Sequence, residues 1–118
     1  MRVTWAEVES MVDVLAAKIR SGGMPELIIG VSRGGWIPAV MLSHQLNIPV
    51  QPLEAVVNTN KVLVVDDICD TGKTLWEIMK QLSLEAKSAT LFYKYNTTYD
   101  PTYYARDTTE WVVFPWEG

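Results

Sequence analysis

Short apolar runs alternate with amphipathic stretches along this chain, and the two periodicities divide it into strands and helices. Leu27-Ile28-Ile29-Gly30-Val31, Val62-Leu63-Val64-Val65 and Ala89-Thr90-Leu91-Phe92-Tyr93 are near-continuous apolar runs. That is the pattern of strands buried on both faces of a parallel sheet. Between Thr4 and Arg20, Val8, Met11, Val12, Leu15 and Ile19 recur at helical spacing instead. Thr4 and Glu7 stand in capping-box positions there, and Ser21-Gly22-Gly23 supplies the stop. This predicts a packing helix with no chemistry of its own. A second helix is expected from Trp36 to Leu46, with Pro38 in its first turn and Asn47 to close it. A third starts near Leu75, with Leu75, Ile78, Met79 and Leu82 on one face. A short strand fits Val50 to Leu53, Ala55-Val56-Val57 offers an extension, and Asn58-Thr59-Asn60 reads as a turn. Asn96 to Glu110 is polar and turn-rich, though Tyr99, Tyr103 and Tyr104 make it too aromatic for a free linker. Trp111-Val112-Val113-Phe114 reads as a last apolar strand. Strands alternating with helices predict an α/β fold, a mostly parallel sheet with helices on both faces.

Composition narrows the class without changing that picture. A length of 118 residues gives one core, so residues 1–118 are expected to form one domain. Hydrophobic residues at 48% and charged ones at 20% describe a globular chain. The net charge of -4, with no basic stripe, argues against a nucleic-acid partner. One cysteine excludes an internal disulfide framework and suits a reducing, cytoplasmic setting. No apolar run approaches membrane-spanning length and the N-terminus lacks a signal-peptide pattern, so no membrane partner is expected.

The chemistry concentrates in Lys61 to Leu75, reading KVLVVDDICDTGKTL. An apolar strand, a glycine-containing polar loop and a helix form the unit that binds phosphates at the carboxyl edge of α/β sheets. Gly72-Lys73-Thr74 supplies the second half of a P-loop, but Asp67 stands where the first glycine is required. A carboxylate there repels phosphate and lacks glycine's backbone freedom. A phosphorylatable strand-end aspartate would suit Asp66 or Asp67, yet has no use for the Gly72-Lys73-Thr74 nest. A sugar phosphate suits both halves. Backbone N–H groups of Asp70, Thr71, Gly72, Lys73 and Thr74 would surround the phosphate, while the acids meet hydroxyls. A second strand–loop–helix unit follows Val31, where Ser32-Arg33-Gly34-Gly35 offers glycines and a planar cationic fork to an anion. Lys94 ends the Ala89 to Tyr93 strand on the rim where such sheets bind ligands, a place where a solvated lysine is equally common. His44 and Trp76 fall on helices, and their positions indicate surface or packing roles.

Val64-Val65-Asp66-Asp67-Ile68-Cys69-Asp70-Thr71-Gly72-Lys73-Thr74 resembles the signature by which type I phosphoribosyltransferases bind phosphoribosyl pyrophosphate. Val-Ser-Arg-Gly-Gly-x-x-Pro, Lys94 and the ending Trp111-Val112-Val113-Phe114-Pro115-Trp116-Glu117 are similar to those of the xanthine-guanine enzymes. The resemblance runs from Leu27 to Glu117 and implies the family's fold with a minimal hood from the C-terminal segment. It implies transfer of phosphoribose to a 6-oxopurine (guanine, xanthine or hypoxanthine), as in purine salvage, with Mg2+ as cofactor. By the resemblance Ser32, Arg33 and Gly34 hold the pyrophosphate, and residues 70–74 the 5-phosphate. Asp66 and Asp67 face the ribose hydroxyls and the metal, partly through water, while Asp70 is the catalytic residue, as general base for N7 of the purine or as electrostatic stabiliser of its protonated form. Lys94 meets the purine 6-oxygen, Trp111 stacks on the ring and the Val112 carbonyl reads its edge. A homodimer or higher homo-oligomer is the family expectation, and five tryptophans suit a buried interface. The chain departs from the family between Val50 and Val62, where relatives carry a long mobile lid and this sequence has too few residues for one. The short Pro52–Asn60 segment raises the alternative of a regulatory relative that binds nucleotide without turnover. A hydrolase or phosphotransfer domain built on Asp66 or Asp67 would leave Lys94 and Trp111 without a role.

Overall fold

The computed structural model describes every residue except Ala55, Val56, Asn96 and Gly118. Its elements are α1 (Trp5–Gly22), β1 (Leu27–Gly30), α2 (Trp36–Leu46), β2 (Val50–Pro52), β3 (Val62–Cys69), α3 (Lys73–Met79), β4 (Lys87–Tyr93) and β5 (Tyr103–Asp107), with a closing 3-10 turn at Pro115–Glu117. The strands form one sheet in the order β2-β1-β3-β4-β5, and every pairing is parallel.

Period-two alternation along the strands separates two apolar layers. Ile28, Leu63, Val65, Ala89 and Leu91 pack beneath α1 and α2, which contribute Met11, Leu15, Ile19 and Leu42. Ile29, Val62, Val64 and Tyr93 face the other way, where α3 adds Leu75 and Ile78. Helix α1 starts at a full capping box: Glu7 N–H donates to Thr4 Oγ1 and Thr4 N–H donates to Glu7 Oε1, each at 3.1 Å. Asn47 ends α2 in the left-handed conformation (φ 54°), which asparagine tolerates. His44 is exposed on α2 and Trp76 is 45% exposed on α3, its ring covered by Lys80 Nζ at 4.3 Å. Both have the packing or surface character that their helical positions indicate.

Four boundaries differ from the expectations drawn from sequence. β3 does not end before Asp66 but runs to Cys69, because β4 continues beside it (Asp66↔Thr90, Ile68↔Phe92, Cys69↔Tyr93). Its other neighbour stops at Gly30↔Val65, so the strand is paired on one side only where the acids stand. The polar stretch from Asn96 contains a strand, β5, which pairs with β4 and leans on α1; Lys18 Nζ donates to Tyr104 O at 2.7 Å. The ending at Trp111 is not a sheet strand: Val113 makes an isolated bridge to Arg2, and Glu117 Oε1 accepts from Phe114 N–H at 2.8 Å as the 3-10 turn begins. β2 stops at Pro52, one residue short of Leu53; of the suggested extension, Ala55 and Val56 lie outside the described residues and Val57 is in no strand. Residues 53–61 are thus the whole link from β2 to β3. No described helix is long and apolar enough to cross a membrane.

Replacing Thr4 by Ala deletes one half of the capping box. We expect a loss of about 1 kcal/mol in urea unfolding with an unchanged slope.

Candidate active site

The sheet order reverses between β1 and β3, which lead to opposite edges. At such switch points the loops leaving two adjacent strands part and open a crevice at the carboxyl edge. Here the loops are Ser32–Gly35 after β1 and Asp70–Gly72 after β3. The first loop lies close against β3: a Cβ on Gly35 would meet the backbone of Val65 and Asp66, and one on Gly34 the Asp67 carboxylate. The Ser32–Arg33 peptide is cis, and both residues are exposed.

Asp66 and Asp67 follow one another in extended backbone, and each is partly buried. Their carboxylates fold back on the main chain, Asp66 Oδ1 accepting from Asp67 N–H and Asp67 Oδ1 from Ile68 N–H, both at 2.8 Å. Burial pushes the Asp66 carboxyl up to about 8, and the neighbouring Asp67 charge adds to it. Burial also raises Asp67, with Glu117 a lesser contributor. Water is withheld from two adjacent carboxyl groups, which disfavours their ionised forms, and a cation beside them would favour those forms again. Among the described residues no three His, Cys, Asp or Glu side chains cluster as a metal cage. Two neighbouring carboxylates on one cavity wall are a donor set that fits an ion such as Mg2+, which takes one or two carboxylates and completes its shell from other oxygens.

The loop beyond them is held open by Gly72, whose φ of 82° puts it in the left-handed region as the N-cap of α3. Thr71 Oγ1 accepts from Lys73 N–H at 3.2 Å, tightening the turn. A cavity of about 240 Å3 lies inside, walled by residues 66–72 with Thr74 and Leu75. Lys73 is exposed on the first helical turn and is absent from that wall. A second cavity, of about 130 Å3, is lined by Asp67, Ile68, Asp70, Lys94, Trp111, Val112, Phe114 and Glu117. The structure thus brings Asp70, Lys94, Trp111 and Val112 together, and Asp67, Ile68 and Asp70 form the partition shared by both spaces. Lys94 Nζ lies 3.3 Å from Asp70 Oδ1 across the smaller cavity. Trp111 is 76% exposed, a free aromatic face on its rim, whereas the Val112 side chain is buried in the core.

Sequence reasoning gave no role to two features, Glu117 and Ile68, and expected of the stretch from Asn96 only that it packs over the site or a neighbour. Glu117 lines the smaller cavity and its charge reaches Asp67; the acid after Pro115-Trp116 was its only signal. Ile68, a variable position within the signature, supplies apolar wall to that cavity. Residues 97–100 press on the phosphate-sized loop: Thr98 N–H donates to Thr71 O at 2.9 Å, and the Tyr99 backbone leaves no room for a Cβ on Gly72. The Cys69 thiol donates to Tyr99 O at 3.3 Å, and burial raises it to about 11, which leaves it protonated and inert at neutral pH.

The raised Asp66 carboxyl makes a signed prediction for the metal-free protein. Between about 4, its unfolded value, and about 8, its folded one, the unfolded chain has lost this proton and the folded chain retains it. Stability contributed at this site therefore falls as pH rises through that window. Asp66→Asn should melt higher than the parent by a margin that widens from pH 4 to pH 8. A constant margin in thermal melts across that range would contradict the burial of this group.

Comparison with known proteins agrees with this geometry. The phosphoribosyl transferase domain family matches residues 50–117. The xanthine-guanine phosphoribosyltransferase of Idiomarina loihiensis is 29% identical, covering 98% of this chain and 85% of its own. The crystal structure of a purine phosphoribosyltransferase from Pyrococcus horikoshii superposes with a TM-score of 0.89 at 39% identity, over 100% of this chain and 94% of that one. The xanthine-guanine-hypoxanthine enzyme of Helicobacter pylori shares the fold at a TM-score of 0.89 and 24% identity, over 98% and 92% of the two chains. The match to the family covers more than half of this chain, including both acids, the loop and the tail, and the chain belongs to the phosphoribosyltransferase family as an enzyme of that class.

Proposed function

We propose that this enzyme moves the phosphoribosyl group of phosphoribosyl pyrophosphate onto a 6-oxopurine, releasing pyrophosphate and a nucleoside monophosphate. The observation that carries the reading is the partition of Asp67, Ile68 and Asp70 between two cavities of different chemistry. One side is a glycine-turned loop of backbone donors suited to a phosphate, the other a slot lined by an exposed indole, a lysine and Val112. A bond made at the partition joins a sugar to a flat base.

Each residue then has a task. Backbone N–H groups of residues 70–74 hold the 5-phosphate, and Ser32, Arg33 and Gly34 take the pyrophosphate across the crevice. Asp66 and Asp67 face the ribose hydroxyls, and their negative charge favours the ring as it becomes cationic while the bond from its anomeric carbon to pyrophosphate breaks. Mg2+, when bound at these acids, neutralises the departing pyrophosphate. Asp70 accepts the proton that the purine must release at N7 as the glycosidic bond forms at N9. Lys94 donates to the 6-oxygen, a contact that the amino group of adenine cannot accept. Trp111 stacks on the ring and the Val112 carbonyl accepts from N1 or the 2-substituent. In the absence of base, Lys94 and Asp70 satisfy each other at 3.3 Å, so binding exchanges one ion pair for two contacts to the ligand.

Residues 53–61 are all the chain between β2 and β3, too few for a long lid. The alignment to the Idiomarina loihiensis relative spans 138 positions against 118 residues here, so that relative carries extra segments.

With phosphoribosyl pyrophosphate and Mg2+, guanine, xanthine or hypoxanthine should give the monophosphate, and adenine should not. Donor binding without product from any base would favour a regulatory role. Asp70→Asn should lower kcat by about a hundredfold or more while changing the affinity for the product nucleotide far less. Equal losses in the two measurements would remove the proton-accepting role.

A further inference from the structure

We infer that the segment Met1–Trp5 aims the base-reading carbonyl of Val112, making Val3 a positioning residue for the purine subsite. The inference rests on the role proposed for that carbonyl and adds the device that orients it. Residues 111–114 run outside the sheet, so β pairing within the fold core does not fix their peptide planes. Val113 instead bridges to Arg2 in parallel: Val113 N–H donates to Met1 O at 2.9 Å, and Val3 N–H donates to Val113 O at 2.9 Å. Both backbone groups of Val113 are thereby occupied by the N-terminal segment.

The first of these bonds decides where Val112 points. The Val112 carbonyl and the Val113 N–H belong to one planar trans peptide and aim in opposite directions. With the N–H locked onto Met1, the carbonyl is turned away from the N-terminal segment. Val112 also walls the cavity shared with Lys94, Trp111 and Asp70. A rotation of this peptide would swing an N–H toward the base edge and replace an acceptor by a donor, reversing the recognition rather than merely weakening it.

The N-terminal segment is itself rigid enough to act as a reference. Val3 is 5% exposed in the α1-side core, and Thr4 is fixed by the capping box of α1. The Trp5 ring lies 5.7 Å from that of Trp116, which stacks on Phe114 at 4.7 Å with planes 5° apart. Segment and hood are thus clamped twice, by backbone on one side of Val113 and by aromatic rings on the other.

Val3→Pro deletes the N–H that donates to the Val113 carbonyl, removing half of the bridge that keeps Met1 O against the Val113 N–H, and keeps an apolar side chain, while Val3→Ala keeps the N–H and loses packing. Steady-state kinetics with guanine and phosphoribosyl pyrophosphate should show the KM for guanine raised about tenfold in V3P over V3A. The KM for the donor should stay within about twofold in both. Trp5→Ala, which leaves both backbone bonds in place, should raise the guanine KM about threefold and serves should V3P not fold. Equal guanine KM values in V3P and V3A, a donor KM rising in step, or an unmoved guanine KM in W5A where V3P does not fold would overturn the positioning role. Parent protein with no turnover on any purine would instead overturn the functional reading beneath it, so the two failures are distinguishable.

Discussion

The structure turns on a pair of neighbouring carboxylates that are kept partly from water within the last residues of β3. Asp66 and Asp67 wall the same small cavity, and the Asp67 charge helps to raise the Asp66 carboxyl. They persist because β4 still supports the strand while β1 has already turned away, and because each carboxylate accepts a backbone N–H. An apo site built this way carries an electrostatic deficit that a cation and sugar hydroxyls can fill. The energy stored against the acids is recovered when the ligand arrives, which couples ligand binding to the stability of the fold.

Much of this was legible in the sequence, for a specific reason. The buried strands β1, β3 and β4 are covered on both faces, so their apolar runs are long and unambiguous, and the glycine loops follow them directly. Capping residues Thr4 and Asn47 marked helix ends correctly because their local hydrogen bonding does not depend on tertiary neighbours. The edges were less readable. β5 is an outer strand whose Arg106 and Asp107 are exposed, and only its pairing with β4 and contact with α1 make it a strand. Trp111 to Phe114 has strand-like composition but meets Arg2 rather than a sheet neighbour, a long-range event with no local trace.

The candidate site divides in the same way. Asp66, Asp67 and the loop to Thr74 are contiguous, and their spacing alone groups them. Lys94 and Trp111 are distant in sequence, and a shared cavity with Asp70 becomes visible only in three dimensions. Glu117 was silent because its contact is to backbone, which composition does not encode, while the aromatic stretch from Asn96 showed that it packs without showing against what. Side-chain chemistry is written in the sequence; the placing of main-chain donors and acceptors is written in the fold.

The parallel pairing of β3 with β4 sets Cys69 opposite Tyr93, and the two strands release Asp70 and Lys94 side by side. Strand register therefore works as a ruler between the Asp70 side of the site and the Lys94 side. Its graduations are about 3.3 Å, one residue each, and a slip of one also exchanges the two faces of the sheet. Intermediate spacings do not exist along this ruler. A change in the size of what fits between them must be accommodated outside this pair of strands, in the segment after β5 that carries Trp111 and Glu117.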